Sequence, residues 1–261
     1  MTERAHAFPP KQDVVGTGIS LLTFDELMAS FEARPHDRAT IVTITNVHAV
    51  MAARRDPDLR QALDGADITT PDGMPVAWAL RSMGNPDQER VSGAKVTTTA
   101  LETGLERGWR HYFYGSTVET LDKLRTAIGE QHEGVRIAGT QSPPFRELDA
   151  AEEDAVAAGI METKPDFVWV GLGMPKQEKW MLRNKHRYPG VVLVGIGAAF
   201  DFIAGTKPEA PAWMQKAGLE WVFRLASEPR RLWRRYIFNN PAYLVAWAKQ
   251  AIGWKLRNRK A

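Results

Sequence analysis

The sequence predicts an α/β fold with a mostly parallel sheet, followed by a basic helical C-terminal appendage. Apolar strands alternate with helix-length segments along much of the chain, as the crossovers between parallel strands require. At 261 residues with 44% hydrophobic content, the chain can bury a full core. After Gly205 the composition changes to Trp- and Arg-rich helices punctuated by Pro. We therefore expect a disordered N-terminus over residues 1–12, an α/β body over residues 13–205 and the appendage over residues 206–261.

The predicted strands are apolar, β-branched or aromatic runs, whereas the predicted helices carry apolar residues at helical spacing. In chain order, the strands cover residues 13–22 (a strand and turn), 39–45, 66–69, 111–115, 135–140, 166–173 and 191–197. The helices cover residues 23–33, 47–56, 75–83, 117–131, 149–163 and 175–187, and a polar connection holds residues 90–96. Because the later strands and helices alternate regularly, we expect right-handed crossovers within one sheet.

Charge is divided unevenly along the chain. From Lys207 onward twelve basic residues stand against three acidic ones, a net charge of +9, whereas residues 1–206 carry −6. This division suggests a basic tail that meets an anionic partner, either phosphate-bearing lipid, a membrane surface or nucleic acid. The first 20 residues lack an apolar core, and no apolar run approaches the roughly 18 to 20 residues of a membrane span. We expect a soluble or at most peripheral protein.

The loop TPDGMP, residues 70–75, joins a short buried strand to the next helix. Asp72 therefore lies at the edge of the sheet where ligands bind in open α/β folds. Gly73 allows a sharp turn and leaves room beside the carboxylate, and Pro75 suits the first helical turn. Two roles remain open for Asp72 from these residues alone: a cap on the helix, or a group that acts on a bound ligand.

Three later strands end in small residues and a helix start: YGST (114–117), GLGMPKQE (171–178) and GIGAAFD (195–201). Exposed N–H groups at such turns hold phosphates, helped by the helix dipole. Gln177 and Glu178 fall in the first turn of their helix and face the sheet edge. Glycine at a strand end is also ordinary turn chemistry, but three such loops at one edge together indicate a nucleotide site.

Other candidate motifs are weaker. VGTGIS, residues 15–20, has no third glycine in the position of a dinucleotide fingerprint. Asp56 and Asp58 resemble a metal-binding DxD, but they follow a helix rather than a strand, so we expect a helix N-cap. The chain has no Cys, and its six His are scattered without zinc-ligand spacing. We expect no metal and no cofactor. His48 lies close enough to a strand end to line a ligand site.

Four motifs together carry a family resemblance. They are TxxNVH (43–48), PDG (71–73), GLGMPKQEKW (171–180) and FDFIAGTKPEAPAWMQKAGLEWVFRLASEPRRLWRRY (200–236). With them the chain resembles the WecG/TagA/CpsF glycosyltransferase family from about Val14 to Tyr236. The resemblance implies a Rossmann-like α/β fold with a C-terminal appendage that approaches the membrane. It also implies inverting, metal-independent transfer of a hexose or N-acetylhexosamine from a UDP-sugar to a polyprenyl-diphosphate-linked saccharide.

The resemblance further implies roles for individual residues. Asp72 matches the family's catalytic base. Taken together with the strand-end turns, the residues expected at the UDP-sugar are Thr45, Asn46, Arg90, Gly115, Ser116, Gly171, Gly173, Gln177 and Glu178. Those expected at the acceptor diphosphate are Arg224, Arg231 and Arg234. Many members have Thr two residues before the Asn, where this chain has Ile44, so either Thr43 or Thr45 is expected to contact the donor.

This identification implies a role in bacterial surface polysaccharide or teichoic-acid-type biosynthesis, at the inner face of the cell membrane. One alternative is an NAD(P)-dependent oxidoreductase, which would need a convincing dinucleotide fingerprint. Another is a nucleic-acid-binding protein using the basic tail, although no recognition motif is visible and nucleic acid is not an expected partner.

The C-terminal helix is a second candidate for contact with an anionic partner. From Pro241 onward Leu244, Trp247, Ala251 and Trp254 recur at helical spacing, with basic residues around them. Such a stripe either packs on the protein's own core or lies at a membrane interface. Because the expected acceptor is membrane-held, we favour docking on an anionic membrane surface.

Overall fold

A six-stranded parallel sheet forms the centre of the computed structural model, which describes residues 8–258. Its order is β4-β3-β8-β7-β5-β6, and the two remaining strands, β1 and β2, form an antiparallel hairpin. The strands are β1 (Lys11–Val14), β2 (Thr17–Ser20), β3 (Thr40–Thr45), β4 (Ile68–Pro71), β5 (Arg110–Gly115), β6 (Arg136–Gln141), β7 (Phe167–Gly171) and β8 (Val192–Gly195). The predicted α/β, Rossmann-like sheet is confirmed.

Helices cover both faces of this sheet. They are α1 (Phe24–Glu32), α2 (Val47–Ala53), α3 (Pro57–Asp64), α4 (Met74–Ser82), α5 (Gly93–Arg107), α6 (Val118–Gln131), α7 (Ala150–Glu162), α8 (Lys176–Asn184), α9 (Ala199–Ile203), α10 (Ala212–Lys216), α11 (Glu220–Ser227) and α12 (Pro229–Asn258). One apolar cluster on each face includes residues of β7 and β8, whose side chains alternate between the faces. The apolar runs in these strands are therefore explained by burial on both sides.

Two predicted segments need correction. The segment around residues 90–96, expected to be a polar connection, contains the start of the 15-residue helix α5. Lys11 and Gln12, placed in a disordered N-terminus, pair with Ser20 and Ile19 in the β1–β2 hairpin. Residues 1–7 of that predicted segment lie outside the described residues. The prediction of a helix N-cap at Asp56 is confirmed, because its carboxylate accepts a hydrogen bond of 3.1 Å from the N–H of Leu59.

The chain order places the carboxyl ends of the central strands around one crevice. The connections from β3 and β7 lead one way, to β4 and β8, whereas the connection from β5 leads the other way, to β6, so the direction of winding reverses between β7 and β5. Such a reversal opens a crevice at the carboxyl ends of the strands. The loops after β3, β4, β7 and β8 all reach this edge.

The long helix α12 closes over one side of this edge. It continues through Pro241 and packs against the hairpin, α2 and α4, burying Tyr243, whose hydroxyl donates to the carbonyl of Pro75 over 3.0 Å. Farther along, Gln250 accepts from the N–H of Val15 over 2.7 Å. The appendage therefore shares a hydrophobic cluster with the body. Within residues 8–258 no helix combines the length and the hydropathy needed to cross a membrane.

The direction of the predicted aromatic stripe needs correction. Trp247 packs on the protein's own core and donates to the hydroxyl of Ser82 over 3.1 Å, and Trp254 lies over Gly84. These two rings therefore do not face outward, and the expectation that they contact a membrane is wrong. On the other face Val245, Ile252 and Leu256 are exposed, and Leu244, at the edge of the stripe, is half exposed.

Candidate active site

Asp72 lies directly after β4, and its backbone N–H donates to the carbonyl of Thr45 over 2.9 Å. The N-cap of α4 is Gly73, with φ of +86°, and in the part of the chain that the structure describes no side chain caps this helix. A left-handed conformation at that position favours glycine. The carboxylate of Asp72 is thus turned away from a capping role and toward the crevice, where it lines the main cavity.

Arg90 joins Asp72 to the appendage. Its Nη2 lies 3.4 Å from Asp72 Oδ1 and 2.5 Å from Glu220 Oε2, while Nη1 donates to Gln215 Oε1 over 3.0 Å. Burial, together with the negative charge of Asp72, raises the pKa of Glu220. Two carboxylates and one guanidinium therefore meet between the body and α11. The contributions of Gln215 and Glu220 were missed in the sequence, since only tertiary folding brings them to Arg90.

Asn46 and His48 form the wall next to Asp72. The side-chain carbonyl of Asn46 caps α2 by accepting from the N–H groups of His48 and Ala49 over 3.0 and 3.2 Å. Nδ1 of His48 lies 2.9 Å from the amide nitrogen of Asn239 on α12. Burial, helped by the charge of Arg235, lowers the pKa of His48 to about 4, so its ring is neutral at pH 7.

Neither threonine of the TxxNVH motif lines the cavity. Thr43 and Thr45 are both fully buried, with their hydroxyl oxygens 3.4 Å apart. The side chain between them, Ile44, points to the opposite face of the strand and does line the cavity. The structure therefore brings neither Thr43 nor Thr45 to the expected donor site.

Glycine turns form the opposite wall of the crevice. Gly171, Gly173 and Ser116 line it, whereas Gly115 supports it from behind. A Cβ on Gly115 would lie 2.5 Å from the backbone carbon of Gly171, so the two strand ends can approach only without that side chain. The turn after β8 adds Gly195 and Gly197 to this wall.

Gln177 and Glu178 are buried at the start of α8. Nε2 of Gln177 donates to Glu178 Oε1 over 2.9 Å, and among residues 8–258 Gln177 Oε1 and Glu178 Oε2 have no hydrogen-bond partner. Burial raises the pKa of Glu178 to about 7. Two buried polar atoms without partners at the cavity wall are what a hydrogen-bonding ligand would satisfy.

Because Glu178 is buried, we expect the free energy of unfolding of the wild type to depend on pH, and we expect Glu178→Gln to remove this dependence. In the unfolded chain the carboxyl ionises near its ordinary pKa, whereas in the folded protein it stays protonated up to about pH 7. The wild-type free energy of unfolding should therefore fall as the pH rises from about 4.5 to 7, by roughly 1.4 kcal/mol per pH unit. Urea unfolding at several pH values measures this; equal pH slopes for the two proteins would contradict it.

The appendage arginines occupy different environments. Arg224 and Arg231 line the cavity, together with Arg235, which was not among the predicted site residues. Arg234 is exposed and lies over the Trp233 ring at 5.2 Å, so the structure does not bring it to the site. Arg234 and Arg235 are adjacent in α12, so their side chains point about 100° apart around the helix axis. Arg235 therefore faces the cavity, whereas Arg234 faces solvent.

The main cavity has a volume of about 420 Å³, within the range of about 300–1,000 Å³ typical of small-molecule sites. Among residues 8–258 no group of three or more acidic, His or Cys side chains is arranged to hold a metal ion. The DxD-like residues Asp56 and Asp58 pair with Lys179 at 2.9 and 3.4 Å. Of the predicted site residues, those that line the cavity are Asn46, Asp72, Arg90, Ser116, Gly171, Gly173, Gln177, Glu178, Arg224 and Arg231.

The candidate dinucleotide fingerprint, VGTGIS, lies in the β1–β2 hairpin. Gly16 and Gly18 of VGTGIS lie in and beside the turn of the β1–β2 hairpin rather than at a strand-to-helix turn. A dinucleotide fingerprint needs a strand-to-helix turn, because the helix N-terminus holds the pyrophosphate. This geometry removes the sequence feature on which the oxidoreductase alternative would depend.

Comparison with known proteins identifies the family. The model of the glycosyl transferase WecG/TagA/CpsF family matches residues 12–257. A Bacillus spizizenii N-acetylglucosaminyldiphosphoundecaprenol N-acetyl-beta-D-mannosaminyltransferase is 29% identical over 82% of this chain and 80% of its own length. A Staphylococcus aureus protein of the same name is 24% identical over 97% of this chain and 98% of its own length. The resemblance in the strand-end and appendage motifs is thereby confirmed, and the chain belongs to the WecG/TagA/CpsF family of glycosyltransferases.

Proposed function

We propose that this glycosyltransferase moves a hexose or N-acetylhexosamine from a UDP-sugar to a polyprenyl-diphosphate-linked saccharide, with inversion and with Asp72 as general base. The observation that carries the proposal is the position of Asp72. Its carboxylate does not cap α4 and lines the same cavity as the glycine turns and the side chains of Arg90, Arg224, Arg231 and Arg235. The names of the relatives, which act on undecaprenol-diphosphate-linked N-acetylglucosamine, support this acceptor class.

The chemistry requires a base and a site for the departing UDP. Asp72 would take the proton of the acceptor hydroxyl while that oxygen attacks the anomeric carbon. The bond from that carbon to the UDP oxygen breaks as the new bond forms, and negative charge develops on the diphosphate. N–H groups at the strand-end turns and nearby guanidinium groups can stabilise this charge. In this scheme the donor would be held by Asn46, Arg90, Ser116, Gln177 and Glu178, which line the main cavity.

The proposal is tested by screening UDP-sugars with a synthetic polyprenyl-diphosphate N-acetylglucosamine acceptor. We expect one UDP-sugar to be transferred and the product to have the opposite anomeric configuration, measured by mass spectrometry and NMR. Transfer of no UDP-sugar onto any polyprenyl-diphosphate saccharide would contradict the proposal.

We expect transfer to survive EDTA, because arginine and N–H groups would supply the positive potential at the leaving diphosphate. Mg²⁺ or Mn²⁺ should stimulate only mildly. Initial rates in EDTA, and after adding each metal back, test this. Complete loss in EDTA with rescue by Mn²⁺ would instead point to Asp56 and Asp58 as ligands.

We further propose that the enzyme works at the inner face of the membrane and docks through the exposed face of α12. Phe238, Val245 and Ile252 are seven residues apart and so share one side of the helix. Basic side chains next to this row are exposed as well, among them Arg234, Lys249 and Lys255. An apolar row flanked by positive charge suits the headgroup layer of an anionic membrane.

Replacement of Phe238, Val245 and Ile252 by Ser should weaken binding to vesicles containing phosphatidylglycerol, because the three exposed side chains would no longer enter the interface. Flotation assays measure binding, and salt should weaken wild-type binding by screening the basic residues. The matched control is Phe145→Ser, which removes an 89% exposed ring from a distant loop. Unchanged flotation of the triple variant at low salt would rule out this face.

A further inference from the structure

A second, smaller cavity of about 80 Å³ opens beside Asp72, between the start of α4 and the appendage. It shares Asp72, Arg224 and Arg235 with the main cavity. The two cavities also share Asn46, His48, Arg90, Gln215 and Glu220. Apart from Asn240, the side chains that line only the smaller cavity are apolar: Val47, Met74, Pro75, Trp221 and Tyr236. We call the space that these five apolar residues line the apolar chamber. Nothing in the transfer chemistry itself uses it.

The aromatic side of the apolar chamber comes from the appendage. The rings of Trp221 on α11 and Tyr236 on α12 lie 5.8 Å apart and are tilted by 55°. Trp221 is 38% exposed, so the chamber is not sealed from the protein surface. Met74 and Pro75 form the facing wall from the first turn of α4.

The positively charged side chains of Arg224 and Arg235 lie where the apolar chamber meets the main cavity. Arg235 Nε is buried without a partner, and within residues 8–258 its guanidinium has no carboxylate within 4.0 Å. Burial, with the charges of Arg224 and Arg231 nearby, lowers the pKa of Arg235 to about 10. The nearest carboxylate to Arg224 belongs to Glu220, 3.9 Å away. Such weakly compensated buried charge is stabilised when an anion binds.

We propose that the apolar chamber binds the isoprene unit adjoining the acceptor diphosphate, and that Arg224 and Arg235 bind that diphosphate. This inference rests on the proposed function. A polyprenyl-diphosphate saccharide carries its hydrocarbon directly beside its diphosphate, and the site offers an apolar lining directly beside Arg224 and Arg235, with Asp72 bordering both cavities. The diphosphate of a UDP-sugar continues into a polar ribose, which such a lining does not match.

The size of the apolar chamber agrees with a small hydrocarbon unit. A closed apolar cavity of about 150 Å³ accommodates benzene. The chamber, of about 80 Å³ and open to the surface at Trp221, therefore encloses part of one isoprene unit. Burying the equivalent of two CH₂ groups already strengthens binding by about tenfold. The chamber would therefore let the enzyme distinguish a lipid diphosphate from an inorganic one.

The test measures binding of geranyl diphosphate, inorganic pyrophosphate and UDP to the full chain by calorimetry. We expect geranyl diphosphate to bind at least about tenfold more tightly than pyrophosphate. Trp221→Ala should remove this difference and leave pyrophosphate and UDP binding unchanged, and Met74→Ser, on the facing wall, should do the same if the first variant folds poorly. Arg235→Met should weaken pyrophosphate and geranyl diphosphate alike, whereas weaker UDP binding alone would assign Arg235 to the donor.

Phe145→Ala is the matched control, because it removes an exposed ring that lines neither cavity. Loss of the preference in this variant, or no preference in the wild type, would overturn the proposal. The assay needs no sugar transfer, so the two proposals can fail separately. Transfer without a preference for the geranyl group refutes the apolar chamber, whereas a preference without any transfer refutes the proposed function.

Discussion

Replacement of Asp72 by Asn is expected to lower turnover by at least about a hundredfold, the usual scale of general-base catalysis. The amide keeps the shape of the carboxylate and an oxygen that can accept from Arg90, whose Nη2 lies 3.4 Å away. It cannot take a proton from the acceptor hydroxyl. Since no side chain caps α4, the stability of that helix should not change. Steady-state kinetics, UDP binding and thermal unfolding together measure these effects.

Asp58→Asn is the control for this experiment. Its carboxylate is exposed and belongs to the DxD-like sequence, so the variant also tests the metal-binding alternative. We expect it to retain wild-type turnover. If Asp72→Asn transferred sugar at nearly the wild-type rate with unchanged UDP binding, the general base would have to be another group, and Glu220 would be the next carboxylate to examine.

Replacement of Tyr243 by Ala is expected to lower the free energy of unfolding by about 3–5 kcal/mol, as for other large buried rings. Tyr243 is fully buried among residues of the hairpin and α4, including Val14 and Leu80. The same change should reduce transfer, because α12 carries Arg235 into the site. Tyr243→Phe removes only the hydrogen bond to the Pro75 carbonyl and should cost about 1 kcal/mol.

Leu244→Ala provides the neighbouring control. Leu244 follows Tyr243 in α12 but is half exposed, so its truncation should change stability by less than about 0.5 kcal/mol. Chemical denaturation of the three variants gives the comparison. Wild-type stability in Tyr243→Ala would mean that α12 does not contribute to the packing of the body.

The sheet could be predicted because its central strands are apolar on both faces and end at glycine turns. Helix α5 was missed because its sequence contains Gly93 and three consecutive Thr, which have modest helix propensity. Burial of Val96, Ala100 and Leu101 against the core outweighs that weakness. Tertiary packing of this kind is not visible in a local pattern.

The site could be predicted where its residues follow strand ends, as Asp72 and Asn46 do. Arg235 could not, because the motif RLWRRY does not tell which of two adjacent arginines faces the body. The same limit applies to Trp247 and Trp254. Helical spacing indicates that side chains share a face, but only the docked position of α12 determines whether protein or solvent covers it.

The bond between the β1–β2 hairpin and Gln250 has a consequence for synthesis of the protein. Val15 and Gln250 are 235 residues apart, so the hairpin meets its partner only after all of the chain between them has been synthesised. Until then Val14, Ile19 and the apolar face of α4 lack the cover that α12 gives them. Contacts of such sequence separation slow folding. This apolar surface therefore stays uncovered until α12 has been synthesised and has docked.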